Sequence, residues 1–404
     1  MKIYIFLIIL LFTALFAQNH PNSLVIERIG ENWDGEYPII FGVVGDNYST
    51  NSIFRAIIHQ LNSISDSLDF VLEVGDLTAG GNSAGYFNYI TLIDSLNVPL
   101  ISVMGNHELN DSLGWNRFIE NFGDPNYHLD IGNARFVCLT DCYPAPEPVS
   151  GSENVYYMFL GDQLEWLDNL LSDWSGFKFV AIHAPPYLLG HMSIATVGGA
   201  GSSPDYDESR TEQFTNILAE QNVYICFGGH IHAYDRWTSD IDVYGNVTYI
   251  LSGGGGASIV PVWPYPAPYG GPIYHFLIME LYEDGTIIGH LVRPDTIADG
   301  ITTVDYDSSY EFTLMPPAKV DELQYNDESY RLVVHPNPFN NVINIYTGRI
   351  NSKIIIYDMS GRIVKTIMPH PGEKLIRWKP DKNIPAGTYT IDAGENKVKI
   401  FYIP

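Results

Sequence analysis

Gly229-His230-Ile231-His232-Ala233-Tyr234-Asp235-Arg236 follows an apolar run, Val223-Tyr224-Ile225-Cys226-Phe227, that ends in Gly228-Gly229. The run reads as a short buried strand entering a tight turn, and two imidazoles then stand at i and i+2. On a helix that spacing would send the rings to different faces, but on a turn just past a strand it aims both at one small volume. Such a pair suits a metal, although His-x-His alone is equally compatible with two unrelated loop histidines.

Four more apolar runs end in the same chemistry. Ile39 to Val44 runs into Gly45-Asp46, Phe70 to Val74 into Gly75-Asp76, Leu100 to Met104 into Gly105-Asn106-His107-Glu108, and Phe179 to Ile182 ends on His183-Ala184-Pro185-Pro186-Tyr187. Each places a hard or borderline ligand at a strand's C-terminal end, usually after a glycine that lets backbone approach closely. A Gly-Asp dipeptide is common by itself; five such blocks in this order are not.

The series GD, GD, GNHE, H-x-P-P-Y and GHIHAYDR resembles the calcineurin-like metallophosphoesterase superfamily, its last block being similar to that of the purple acid phosphatase branch, over roughly Tyr37 to Arg293. The resemblance implies an α/β (α+β sandwich) fold of two packed mixed β-sheets flanked by helices. It also implies two divalent or trivalent metal ions, Fe, Zn or Mn, that hold a phosphoester and activate a water. By match to the family, Asp76 bridges the ions, Asp46 and His232 hold the first, and Asn106, His183 and His230 hold the second. His107 is carried over as the catalytic residue that steadies developing charge or protonates the leaving group, with Glu108 as a neighbour that could orient it.

Two positions depart from the family. Many members have His where this chain has Tyr48, and purple acid phosphatases have Tyr where it has Ala79. The first ion keeps three protein ligands unless Tyr48 reaches it, so Tyr48 is either a metal ligand or a contact to the substrate.

The N-terminus has its own signature. Met1-Lys2 precede an apolar Ile3 to Phe16 and then Ala17-Gln18, which reads as a secretory signal peptide over 1–17, with a retained anchor as the alternative. Leu15 stands where a small residue is usual, so the cleavage point stays open. After processing no transmembrane anchor is expected. Cys138 and Cys142 lie close enough to bridge in an oxidising compartment or to remain thiols, and Cys226 reads as a buried apolar residue.

Charge is unevenly spread. The chain carries −26 in total, but from Arg331 onward 11 Lys and Arg face 5 Asp and Glu, a net of +6, which leaves −32 on the part that holds the site motifs. A surface of that sign repels polyanions, which argues against long nucleic acids and leaves small phosphate esters open.

In chain order, Asn19 to Glu36 reads as a polar leader without a period. Thr50 to Ser63, Ala84 to Leu96, a short helix between Asp111 and Gly123, and Asp162 to Trp174 read as amphipathic helices. The opening therefore alternates strand and helix, the pattern of parallel crossovers. Tyr127 to Thr140 reads as a strand pair. The loop with Pro144, Pro146 and Pro148 is a candidate rim, and Leu188 to Tyr206 a long loop whose His191 either contacts substrate or is solvated. Gly253 to Gly256 suggests close backbone approach, as a phosphate cradle or as a structural closure. His275 and His290 flank a hairpin at Glu283-Asp284-Gly285 as ordinary strand residues.

Beyond a linker at 316–330 the sequence changes character. Short strands at about 8 to 12 residue spacing predict a small all-β immunoglobulin-like sandwich over 331–404. Its P-N-P-F-N, Y-D-M-S-G-R and I-P-A-G-T-Y blocks resemble the C-terminal sorting domain of the bacterial type IX secretion system, which implies secretion machinery as a partner and export through the periplasm to the surface or medium.

These readings converge on a secreted metallophosphoesterase domain over 18–315, acting on small esters, foremost phosphomonoesters, by attack of metal-bound hydroxide. A phosphodiesterase or nucleotidase is the alternative, and a surface-displayed binding protein with a degraded metal site is the rival of another class.

Overall fold

Strands that are apolar on both faces must be covered on both, and the first half of the chain achieves this with alternating strands and helices. The computed structural model describes residues 20–48, 51–144, 155–186, 208–238, 247–259, 270–294, 311–315, 333–335, 343–346, 353–359, 361–368, 375–380, 383–394 and 396–402. The signal peptide expected at 1–17, the linker at 316–330, Pro146, Pro148 and the stretch with His191 lie outside the described residues. Two compact units divide along the chain between Pro317 and Ala318.

In the first unit, α1 (Asn22–Asn32) precedes β1 (Ile39–Val44), α2 (Ser52–Ser63), β2 (Phe70–Glu73), α3 (Ser83–Ile93) and β3 (Leu100–Ser102). The three strands pair in parallel, with Val43 opposite Leu72 and Leu72 opposite Ile101. Asn51 and Asn82 cap α2 and α3 by accepting from the N–H groups of Phe54 and Gly85. Then follow α4 (Gly114–Phe122), β4 (Tyr127–Ile131), β5 (Ala134–Cys138), β6 (Cys142–Pro144), β7 (Val155–Tyr157), α5 (Gln163–Ser172), β8 (Phe177–Ala181) and α6 (Glu208–Glu220). The unit continues with β9 (Ile225–Gly228), β10 (Tyr234–Thr238), β11 (Thr248–Ser252), β12 (Phe276–Leu281), β13 (Ile287–Val292) and β14 (Phe312–Leu314).

Two mixed six-stranded sheets result, ordered β14-β13-β12-β1-β2-β3 and β10-β11-β9-β8-β5-β4. Strand alternation sends every second residue to the interface between them. There Phe41 stacks on Phe70 at 5.2 Å between centroids, Phe136 on Phe179 at 4.5 Å, and Phe41 meets Phe136 edge-on at 5.0 Å. The intervening residues, Val71, Val137 and Val180, join the core built with Ile57 and Leu61 of α2, Leu164, Leu167 and Leu171 of α5, and Phe214 of α6. Trp174, the last residue of the expected helix, lies past the end of α5 and carries the Arg135 guanidinium over its ring at 4.4 Å.

The polar leader is a correction: residues 22–32 form α1. Val25 and Ile29 are spaced one turn apart and fully buried, while the Asn22 amide accepts from Ser102 N–H at 3.0 Å and donates to the Ser102 carbonyl at 3.2 Å. The helix packs on β3 and β4, the outermost strands of their sheets, so what stabilises it is covering two sheet edges and not its own weak periodicity.

In the second unit, β15 (Val333–His335), β16 (Ile343–Tyr346) and β19 (Leu375–Trp378) form one sheet. The other is ordered β18-β17-β20-β21, from β17 (Ile354–Asp358), β18 (Ile363–Ile367), β20 (Gly387–Ala393) and β21 (Asn396–Tyr402). Ile343, Ile345 and Trp378 of the first sheet share a core with Ile354, Ile356, Ile391 and Ile400 of the second, which is the expected sandwich. At the Asp358–Arg362 turn, Gly361 takes φ 82° and the Asp358 carboxylate accepts from Arg362 Nε at 2.9 Å.

The β12–β13 hairpin turns at Glu283-Asp284-Gly285 as expected, with Gly285 at φ 88°. His275, just before β12, is fully buried, donates from Nδ1 to the Ile273 carbonyl at 2.9 Å and meets Ser252 Oγ through Nε2 at 3.2 Å. Burial lowers its pKa from 6.5 to about 4. A depressed folded pKa means stability that is complete above pH 6.5 and lost as pH falls toward 4, worth on the order of 3 kcal/mol. His275→Gln therefore flattens the acid branch of a urea-denaturation series, and an acid branch as steep as that of the unmodified chain would refute the assignment.

Candidate metal centre

Parallel strands deliver their carboxyl ends to one side of a sheet, and here both sheets deliver them to the same place. Asp46 follows β1, Asp76 follows β2, and Asn106 and His107 follow β3; His183 follows β8, and His230 and His232 follow β9. The six expected ligands converge; Asp46 and His183 have no exposure, Asp76 and Asn106 keep 1%, and His230 and His232 are partly exposed. Ligand atoms of Asp46, Asp76 and His232 lie within 4.8 Å of one another. Asn106 Oδ1 is 2.9 Å from both His183 Nε2 and His230 Nδ1, and Asp76 Oδ1 is 3.3 Å from His183 Nε2. Asp76 thus belongs to both groups.

Local backbone strain holds the cluster. Asp46 (φ 57°), Tyr48 (φ 52°), Asp76 (φ 58°) and His230 (φ 68°) all take left-handed conformations that cost a non-glycine residue about 1–3 kcal/mol each. At Gly105 a Cβ would lie 2.2 Å from Asp76 N, and at Gly75 (φ 97°) 2.3 Å from His183 Nδ1, so the two loops close only around glycine. The carboxylates are anchored as well, Asp76 Oδ1 accepting from His107 N–H at 2.9 Å and Asp46 Oδ2 from His230 N–H at 2.9 Å.

Carbonyl partners fix the histidine tautomers. His183 Nδ1 donates to the Val74 carbonyl at 2.8 Å, His232 Nδ1 to that of Ser258 at 2.7 Å, and His107 Nδ1 to that of Ala79 at 2.9 Å. A carbonyl only accepts, so each Nδ1 carries a proton. Burial lowers the His183 pKa, which leaves its ring neutral with the Nε2 lone pair facing the oxygens of Asn106 and Asp76. Three acceptors meeting without a proton between them is an arrangement that a cation satisfies, and mixed carboxylate, amide and imidazole donors suit Zn, Mn or Fe. Burial opposes the charged forms of Asp46 and His232 too and is the largest single cause for each, but their hydrogen bond and the attraction between the opposite charges together overcome it, lowering the Asp46 pKa and raising that of His232.

Tyr48 stands between two histidines. Its hydroxyl is 2.7 Å from His107 Nε2 and 3.4 Å from His232 Nε2, and its ring packs on both. Because His107 Nδ1 already holds the ring proton, Tyr48 donates to Nε2.

Glu108 does not orient His107 through any bond described here. Its carboxylate accepts from the N–H groups of Asp76 (3.1 Å), Thr78 (2.8 Å) and Gly105 (2.9 Å), pinning the β2 and β3 loops to each other. Burial pushes its pKa up to about 7. Sequence reasoning missed the equivalent on the other sheet: buried Asp141 accepts from Ala184 N–H at 2.8 Å and His183 N–H at 3.3 Å. The signal was present, since Asp141 follows the apolar run Phe136 to Leu139 as Asp46 and Asp76 follow theirs. Tyr157 was missed as well; its ring lies 5.3 Å from that of His230.

The glycine run is a structural closure. Gly253, Gly255 and Ala257 donate their N–H groups to the carbonyls of Ala233, Gly45 and Asp46, which leaves those donors engaged. Cys138, Cys142 and Cys226 are buried free thiols, so no bridge joins the first two.

The calcineurin-like phosphoesterase family matches residues 39–234, and the secretion system C-terminal sorting domain family matches residues 333–401. A probable cyclic nucleotide phosphodiesterase of Synechococcus is 30% identical over 170 residues, 41% of this chain and 58% of the relative. A 3',5'-cyclic-nucleotide phosphodiesterase of Nostoc is 26% identical over 191 residues, 46% of this chain and 63% of the relative. The chain thus spans less than two thirds of either curated relative. Purple acid phosphatase from yellow lupin seeds superimposes with a TM-score of 0.51 at 18% identity, over 70% of this chain and 55% of that one, which shows a common fold.

If Glu108 pins the two ligand loops, Glu108→Gln, which turns one acceptor into a donor against a backbone N–H, costs about 1–3 kcal/mol in urea denaturation. It also releases bound metal at a lower chelator concentration. Unchanged stability and unchanged metal retention would refute the pinning role.

Proposed function

We propose that the chain is an exported hydrolase of small phosphate esters, a reading supported by the match of residues 39–234 to the calcineurin-like phosphoesterase family and of residues 333–401 to the secretion system C-terminal sorting domain family. The observation that carries the reading is Asp76, whose carboxylate is shared between the Asp46–His232 group and the Asn106–His183–His230 group. In this reading Asp46 and His232 would hold one ion and Asn106, His183 and His230 another, with the Asp76 carboxylate available to both. Such a pair supplies phosphoryl polarisation and an acidified water.

The chain's own groups do the rest. Deep burial of Asp46, Asp76 and His183 keeps bulk water from the ligand atoms, and the carbonyl-fixed tautomers hold the His183 and His232 lone pairs inward without rotational freedom. His107, with Nδ1–H engaged by Ala79, exchanges a proton only at Nε2, the atom that faces Tyr48 and lies 3.9 Å from Asp76 Oδ2. Nε2 is therefore the ring atom through which a proton can pass to the departing oxygen, and the Tyr48 hydroxyl that donates to it is placed to touch the ester.

Phosphomonoesters fit a small, acidic, non-polymeric choice of substrate. Small cyclic diesters are the second reading, favoured by the names of the two curated relatives. Chelated protein resupplied with Mn or Zn and assayed in parallel on a nitrophenyl monoester and a cyclic nucleotide separates the two. Two bound ions with no hydrolysis of any ester would instead indicate a binding protein.

The sorting domain supports a surface or secreted destination reached through the periplasm. Among the described residues no helix is long and apolar enough to cross a membrane. We take 18–315 as the hydrolytic domain and 331–404 as the sorting domain.

Asp76→Asn and His230→Ala lower turnover by more than roughly 100-fold, beyond the 10–100-fold typical of groups one layer further out, while the urea midpoint of the metal-free protein changes little. Full activity in metal-replete Asp76→Asn sinks the bridging assignment. Deleting 331–404 leaves hydrolysis intact but retains the protein in the periplasm of a host with the matching secretion route; undiminished surface display would make the domain an accessory one.

A further inference from the structure

Glu73 is a buried carboxyl that the site does not use as a ligand. It is the last residue of β2, has no exposure, and receives two side-chain hydrogen bonds from other elements. Oε1 accepts from the Asn47 amide and Oε2 from the Tyr89 hydroxyl of α3, which in turn lies 3.5 Å from Ser102 Oγ on β3. A carboxyl in a dry core is costly even when bonded, and a well-packed apolar residue would stabilise the same place as well or better.

Asn47 is where this network meets the metal centre. It sits between Asp46 and Tyr48, both left-handed, and is itself fully buried. Two backbone bonds tie that turn to the β2 loop, Asp46 N–H to the Gly75 carbonyl at 3.0 Å and Tyr48 N–H to the Asp76 carbonyl at 3.2 Å. The Asn47 side-chain amide adds a tie to β2 itself, and the Asn47 backbone carbonyl accepts from the side-chain amide of Asn51, the residue that caps α2. A turn holding two strained residues relaxes unless the surroundings over-determine it.

Resting on the metal-centre reading above, we infer that Asn47, Glu73 and Tyr89 form a positioning clamp that holds the Asp46 turn in its strained shape and so sets how tightly the first ion binds. Asn106 and His183, expected to hold the second ion, sit on other strand ends, and only His230 touches the Asp46 turn, through its backbone N–H, so the second ion depends on the clamp much less than the first.

The test is Mn titration of the full, chelator-stripped chain by calorimetry. Asn47→Leu keeps the bulk and removes the amide donor; one of two binding events weakens roughly 10- to 100-fold, the other by no more than about 3-fold. Glu73→Gln keeps an oxygen toward Asn47 and restores affinity to within a few-fold, whereas Glu73→Leu behaves as Asn47→Leu. If Asn47→Leu does not fold, Asn47→Ser, too short to reach Glu73, takes its place. Two events of undiminished affinity, or equal loss of both, overturns the clamp. An unmodified chain that binds no cation overturns the metal centre itself, and the clamp with it.

Discussion

Acceptors crowded around a single point are the constraint on which the rest of this structure depends. Asn106 Oδ1 and Asp76 Oδ1 lie 2.9 and 3.3 Å from His183 Nε2, and the ring's N–H, on Nδ1, is engaged by the Val74 carbonyl. Lone pairs so placed repel one another unless a cation lies among them. Everything around them resists that repulsion: carbonyls that fix ring tautomers, glycines where a side chain would collide, and carboxylates that bind loop backbones.

Holding that arrangement requires a fold that supplies rigid ends from two directions. Parallel strands of the two sheets stop at a common edge, and the aromatic layer of Phe41, Phe70, Phe136, Phe179 and Phe227 keeps the sheets in register behind it. Interiors packed this closely do not deform smoothly, so a displacement of one sheet would move half of the ligands at once. Glu108 and Asp141 then do locally what the core does globally, one joining the β2 and β3 loops and the other holding the start of the His183 loop.

The strain at Asp46, Tyr48, Asp76 and His230 follows from the same requirement. Extended backbone would carry these side chains away from the cluster, whereas a left-handed residue right after the strand turns them inward. Tyr48 is turned in the same way, which brings its phenol hydroxyl against His107 and His232 from a position only two residues past Asp46.

Much of this was legible in the residues alone. Apolar runs ending in Asp46, Asp76, Asn106, His183 and His230 marked both the strands and the candidate ligands, because strand-end ligands are a local pattern of one strand and one turn. The sandwich of the second unit was legible for the same reason, its short strands being punctuated by turns such as Asp358–Arg362. Helix α1 was not legible: its apolar spacing is thin and its stability comes from covering the edges of β3 and β4. Nor were the bonds of Glu108 to the β2 loop, the hold of Asp141 on His183, or the joining of Asn47 to Tyr89 through Glu73, because those bonds link residues 16 to 42 positions apart. The sequence by itself determined which side chains can meet a cation, since that depends on residue type and on the end of a single strand. Only the tertiary structure decided which oxygen faces which nitrogen, because tautomers, strained turns and buried carboxyl contacts exist only when separate strands are packed together.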